Sequence, residues 1–192
     1  MRNRSNIYLL GMMGVGKSTV GSLLAERLAR PFIDLDMLIG ENSGRTIAQL
    51  FAELGEEGFR QLESQALQTV AVQESLVVAL GGGSVLYAEN RRLLHGTGIN
   101  IYLEASLPTL VERNRGQVKR PLLLKGQAEP GLRQRLRRLL SERRPLYESL
   151  CDITVNADLS SPGEVVCDIV ERLEQPTHRL ESLITDRALK PL

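Results

Sequence analysis

The run "NIYLLGMMGVGKSTV", Asn6 to Val20, constrains this chain more than any other stretch. An apolar strand-like segment leads into glycines at 11, 14 and 16, and a helical pattern begins at Lys17. Gly11, Gly16, Lys17 and Ser18 match G-x-x-x-x-G-K-[ST], and a strand before with a helix after is the setting in which that pattern works. Glycines let successive backbone N–H groups curl around an anion. The helix N-terminus adds the positive end of its dipole, and a lysine at this place reaches between the outer phosphates. Gly14, Val15, Gly16, Lys17, Ser18 and Thr19 are therefore expected to hold a nucleoside triphosphate, with the Ser18 hydroxyl offered to Mg²⁺. The plainer alternative is a glycine-rich turn that merely starts a helix, and the flanking pattern argues against it.

Similar short runs recur: "PFIDL" (31–35), "LVVAL" (76–80), "NIYLE" (100–104) and "DITVN" (152–156). With "NIYLL" (6–10) they predict five strands separated by amphipathic helices, hence an α/β, three-layer α/β/α fold around a five-stranded parallel sheet. Val20, Leu23, Leu24 and Leu28 form the stripe expected to pack the first helix on the sheet. "SSPGEVVCDIVERLE" predicts a late helix capped by Ser161, with Pro162 in its first turn and a break at Pro176. Two stretches depart from β-α alternation. Residues 36–75 predict two or three helices forming a lobe, and "NRGQVKRPLLLKGQAEPG" (114–131) is a long loop rich in Gly, Pro and cations. The expected organisation is one domain over 1–175, with the lobe at about 36–75, a segment of its own at about 114–130, and a tail of unassigned role at 176–192.

Charge narrows the partners. Lys plus Arg number 24 against 23 for Asp plus Glu, so no global basic field suggests nucleic acid. The arginines of "RQRLRRLLSERR" (133–144) come with Leu132, Leu136, Leu139 and Leu140 at helical spacing and with sparse aromatics, which predicts a basic-faced helix. No stretch approaches the length of a membrane span and no signal-peptide core opens the chain, so a cytoplasmic location is expected. Cys151 and Cys167, in apolar settings and without a C-x-x-C pair, are expected to be buried free thiols.

A P-loop enzyme usually ends a later strand with an acid near the metal. "LVVAL" ends instead in Gly81, Gly82 and Gly83, so the missing acid is expected at Asp34, with Asp36 just beyond it. Both would face the crevice shared by strand C-termini. Alone, D-x-D at a strand end is often only helix-cap chemistry. Three adjacent glycines are costly in backbone entropy for a simple turn, and they suggest a flat wall of N–H donors that a small acceptor can approach.

With these residues in place, the chain from about Asn6 to Leu173 resembles the shikimate kinases. The shared features are "GMMGVGKST", "DLD", "GEEGFRQLE" (55–63), "ALGGGSV" (79–85), "KRPLL" (119–123) and "ERRPLYE" (142–148), in that order and spacing. The resemblance implies a P-loop fold of nucleoside monophosphate kinase type, with a substrate-binding lobe and a mobile lid at about 114–130. It also implies transfer of the ATP γ-phosphoryl to the 3-hydroxyl of shikimate, in the biosynthesis of chorismate and the aromatic amino acids. Carried over by position, Ser18 and Asp34 would serve Mg²⁺, Lys17 the phosphates, and Asp36 the acceptor hydroxyls. Arg60 and Arg143 would pair with the shikimate carboxylate, against a backbone wall at Gly82 and Gly83. Arg120 would move in with the lid to meet the transferring phosphoryl, and Arg113 would lie over adenine. "VNADLSSPGE" has no arginine where some relatives carry one near the base. The expected partners are shikimate and Mg·ATP, with neither nucleic acid nor membrane, and the chain is expected to be a monomer. The rivals are a kinase for another small polyol acid such as gluconate, a nucleoside monophosphate kinase, and a nucleotide-binding switch without acceptor turnover.

Overall fold

The computed structural model describes residues 5–115, 129–158 and 161–175. Strands β1 (Asn6–Leu10), β2 (Phe32–Asp34), β3 (Val77–Ala79), β4 (Gly98–Glu104) and β5 (Ile153–Asn156) pair in parallel in the order β2-β3-β1-β4-β5. β1 is central, with Ile7 in register with Val77 on one side and Ile99 on the other. Every residue of β1 is buried, which is why it reads as an unbroken apolar run and not as an alternation. Its polar first residue is fully used: Asn6 donates to the Gln73 carbonyl (2.9 Å) and the Tyr8 hydroxyl (3.1 Å), and accepts from the Leu76 amide (3.0 Å). The chain turns to one side of β1 for β2 and β3 and to the other for β4 and β5. Such a reversal opens a crevice beyond the C-terminal end of the central strand.

Helices α1 (Lys17–Leu28), α2 (Leu35–Ser43), α3 (Ile47–Ala71), α4 (Ala88–Thr97), α5 (Leu107–Asn114), α6 (Glu129–Leu150) and α7 (Pro162–Glu174) flank the sheet, with a 3-10 turn at Ser84–Leu86. The stripe that α1 buries is Val20, Gly21, Leu24 and Ala25, with Leu28 partly covered, while Leu23 is 39% exposed. At 100° per residue Leu23 points well away from that stripe. Gly21 takes its place because the Phe32 ring occupies the space where a Cβ would stand, so helix and strand approach closely there. The stretch 36–75 holds α2 and α3, and α3 breaks at Gly55 (φ 69, ψ −176), a conformation open to glycine. Thr46 and Gln49 form a capping box at the start of α3, and Ser161 and Glu164 form one at the start of α7. α7 ends at Glu174, and the break expected at Pro176 lies outside the described residues, as does the tail.

The cysteines are not buried as expected. Cys167 is exposed because it falls on the outer face of α7, whose inner face is Val165, Val166 and Ile169. Cys151 is half-covered just past α6, its Sγ 3.4 Å from the Thr154 hydroxyl. Both thiols are free.

Candidate active site

The loop from Gly11 to Gly16 closes the C-terminal end of β1 and opens α1. Gly16 caps the helix at φ 108, and Gly16, Lys17 and Ser18 line an open cleft at the start of α1. Lys17 folds back over the loop and donates to the carbonyls of Gly11 (2.8 Å) and Met12 (3.0 Å). Its ammonium therefore rests against the loop, on the cleft that Lys17 lines. The end of α5 braces the loop from behind. Asn114 donates to the Met13 carbonyl (3.1 Å), and Arg113 donates to Val15 (2.9 Å) and to Ala157 past β5 (2.9 Å).

Asp34 ends β2 and accepts the Ser18 hydroxyl at 2.5 Å through one oxygen. Its other oxygen caps α2 by accepting from the amides of Asp36 and Met37. Cap and site thus share one carboxylate. Asp36 opens onto the cleft but is closely surrounded by protein, and its carboxyl is pushed up to about 6. Lost hydration is the largest cause, followed by the charges of Glu63 and Asp34, against a downward pull from Lys17 and Arg60. Water in the open cleft weakens the first of these causes, whereas the two neighbouring acids act in the same direction however wet the cleft is.

Across the cleft, Arg60 on α3 is buried and pairs with Glu63 at 2.6 Å, one helical turn on. Burial alone would lower its guanidinium, but Glu63, and to a lesser degree Glu56, outweighs that and raises it. Arg60 also lies over the rings of Phe51 (5.9 Å) and Phe59 (5.6 Å), which stack on each other across the break in α3. Glu63 accepts the Ser84 hydroxyl (2.5 Å) with its second oxygen, so both oxygens are used. These charges explain the glycines. A Cβ on Gly81 would collide with the Glu63 carboxylate, and one on Gly83 with the Arg60 guanidinium. At Gly82 it would stand 3.3 Å from Arg143 Nη1. Arg143, on α6, is only 2% exposed, and its Nε and Nη1 have no hydrogen-bond partner among the described residues.

One cleft of about 280 Å³ collects most of the predicted residues. Gly14, Gly16, Lys17, Ser18, Asp34 and Arg113 line it with Arg60, Gly82, Gly83 and Arg143, and Asp36 stands between the two groups, within reach of the charges of Lys17 and Asp34 and of Arg60 and Glu63. Val15 and Thr19 do not line it: the Val15 side chain is in the core, and Thr19 is exposed on α1. Arg120 and the rest of "KRPLL" lie outside the described residues. Sequence reasoning passed over Glu63, Ser84 and Tyr147. An Arg and a Glu three apart on a helix share a face, a signal that could have found Glu63; nothing local marks the other two.

A family model described as shikimate kinase matches residues 13–174. The chain belongs to the shikimate kinase family. It is 45% identical over 176 residues to the shikimate kinase of Symbiobacterium thermophilum, covering 91% of this chain and 99% of that one. The shikimate kinase of Vibrio cholerae is 43% identical over 175 residues, with 91% and 98% covered. The structure of an Acinetobacter baumannii shikimate kinase in complex with shikimate superposes with a TM-score of 0.82 at 36% identity, over 97% of this chain and 96% of the other. Shikimate kinases are ATP-dependent, so this chain is a phosphotransferase with ATP as co-substrate, and its parallel sheet is the P-loop fold of nucleoside monophosphate kinase type. No described helix is long and apolar enough to cross a membrane.

Proposed function

We propose that the cleft seats ATP on the Gly14–Ser18 end and shikimate between the arginines and the glycine wall, with γ-phosphoryl transfer to the shikimate 3-hydroxyl. The observation that carries this reading is Arg143. A guanidinium buried to 2% with two nitrogens unpartnered is costly unless an anion completes it, and it faces Gly82 with Arg60 close by. Two planar guanidinium groups at one backbone wall suit a carboxylate held by parallel charge-assisted bonds. A phosphate acceptor would call for a denser cationic cluster, and Arg60 already spends charge on the buried Glu63.

The roles follow from position. Lys17 and the loop amides hold the outer phosphates, and Arg113, stretched between Val15 and Ala157, offers its planar face to the base. Ser18 and Asp34 are hard oxygen donors already in contact. Mg²⁺ keeps several waters and takes further oxygens from phosphates, so this pair fits it. When bound there, Mg²⁺ would draw off negative charge from the phosphates. Asp36, between the two ends, accepts the acceptor hydroxyls and orients the attacking one. Arg120 is assigned to the transferring phosphoryl on sequence pattern alone, with the segment at about 114–130 as lid and 36–75 as substrate lobe. The nearly balanced charge, 24 Lys plus Arg against 23 Asp plus Glu, supports action apart from nucleic acid, and the chain is read as a monomer of the cytoplasm.

ADP release from Mg·ATP should be stimulated by shikimate and not by gluconate or nucleoside monophosphates offered separately. If shikimate gives no stimulation over ATP alone, the acceptor assignment fails. A pH profile gives a second check. Because the Asp36 carboxyl is raised, its working anion is lost near pH 6 and not near 4. The value of kcat/KM for shikimate should therefore fall about tenfold per pH unit below that point. A profile that stays flat from pH 7 to 5 would show that the Asp36 carboxyl is not raised in the working enzyme, and an unchanged KM for shikimate in Asp36→Asn would remove it from acceptor binding.

A further inference from the structure

We propose that Tyr147 is a positioning residue for the acceptor: its hydroxyl holds the Gly82–Gly83 peptide so that the Gly83 N–H faces the cleft. The inference rests on the placement of the shikimate carboxylate proposed above. Three carbonyls run along the glycine wall. That of Gly81 is held by the Ser84 amide (3.2 Å) and that of Gly83 by the Leu86 amide (3.0 Å), both local turn bonds. The Gly82 carbonyl instead accepts the Tyr147 hydroxyl, from α6, at 2.5 Å.

That bond matters because of what joins Gly82 to Gly83. A trans peptide is planar, with its C=O and N–H pointing in opposite directions. A peptide between two glycines meets little steric resistance to rotation, since neither side has a Cβ. Fixing the Gly82 oxygen on the core side thus turns the Gly83 N–H toward the cleft that Gly82 and Gly83 line, and this N–H has no partner among the described residues. Tyr147 is fully buried, its ring stacks on Tyr102 at 5.1 Å, and burial, outweighing the downward pull of the neighbouring Arg143, pushes its phenol up so that it keeps its proton at any working pH. Arg143 lies one helical turn before it on α6. A single helix therefore sets both the guanidinium and, through Tyr147, the amide that would meet the same carboxylate.

Tyr147→Phe removes only the hydroxyl. The wild-type enzyme is assayed first, because a lack of stimulation by shikimate would refute the acceptor reading itself. Given that stimulation, the variant should raise the KM for shikimate roughly five- to tenfold and leave the KM for ATP unchanged. Replacing Tyr147 with 4-aminophenylalanine, which keeps a donor at the same place, should recover most of the loss. An unchanged KM for shikimate, or an equal rise in both KM values, overturns the proposal, as does a drop in Tm with neither KM altered. Should the Phe variant fail to fold, the wild-type Gly83 amide resonance decides: shikimate must shift it in ¹H–¹⁵N spectra, and a resonance that stays still overturns the proposal.

Discussion

Lys17→Ala should lower kcat for shikimate-dependent ADP release by on the order of a thousandfold or more, with little change in Tm. The ammonium is held over the loop by the Gly11 and Met12 carbonyls at 2.8 and 3.0 Å, so its place is set before the nucleotide arrives. In phosphoryl transfer the protein contributes mainly position and charge stabilisation, and a cation fixed beside the outer phosphates supplies both. The side chain is only half-covered and forms no part of the core, so losing it leaves the fold nearly untouched. Steady-state kinetics and a thermal melt on the same preparation check the result. A kcat within tenfold of wild type would mean that this loop does not hold the transferring phosphates.

Arg143→Ala should act on the other substrate, raising the KM for shikimate by about a hundredfold while the KM for ATP moves little. Truncating one partner of a buried charged contact costs ~2–5 kcal/mol, and a hundredfold is ~2.7 kcal/mol. Stability should move differently from binding. Arg143 Nε and Nη1 are buried without partners, so the free enzyme bears a desolvation cost that only the ligand relieves. The volume-matched Arg143→Met should therefore lose acceptor affinity to a similar degree with Tm unchanged or raised. Isothermal titration with shikimate and thermal melts separate the two effects. An unaltered shikimate affinity in Arg143→Ala would end the carboxylate assignment, and a Tm several degrees lower in the Met variant would show that the guanidinium serves the fold.

The two ends of the cleft were not equally legible in the sequence. The phosphate end is local: strand, loop and helix N-terminus are contiguous from Asn6 to Leu28, and the spacing of glycines and lysine encodes the geometry directly. The five strands also read out closely: β1, β3 and β4 are buried and read as continuous apolar runs, while the edge strands β2 and β5 are short and partly exposed. Edges and faces read out less well. Leu23 was expected in the α1 stripe and lies outside it, since Gly21 is what the Phe32 ring admits. Cys167 sits among valines in sequence but on the outer face of its helix in space. The triple glycine lines the cleft, and a second reason for two of its glycines, the closeness of Glu63 to Gly81 and of Arg60 to Gly83, has no local signal in the sequence.

By itself the sequence determined the kind of chemistry: a ring of amides with one lysine for a polyanion, acids at a strand end, and arginines in helices beyond. Only the tertiary structure decided which of these groups meet. Arg60 and Arg143 come from α3 and α6, far apart along the chain, and reach the same wall because the sheet order brings both helices to the turn after β3. The burial that leaves Arg143 wanting an anion and sets Tyr147 behind Gly82 is likewise a product of packing. Periodicity and turn chemistry act over a few residues, whereas desolvation and hydrogen-bond partnership depend on everything that surrounds a group in space.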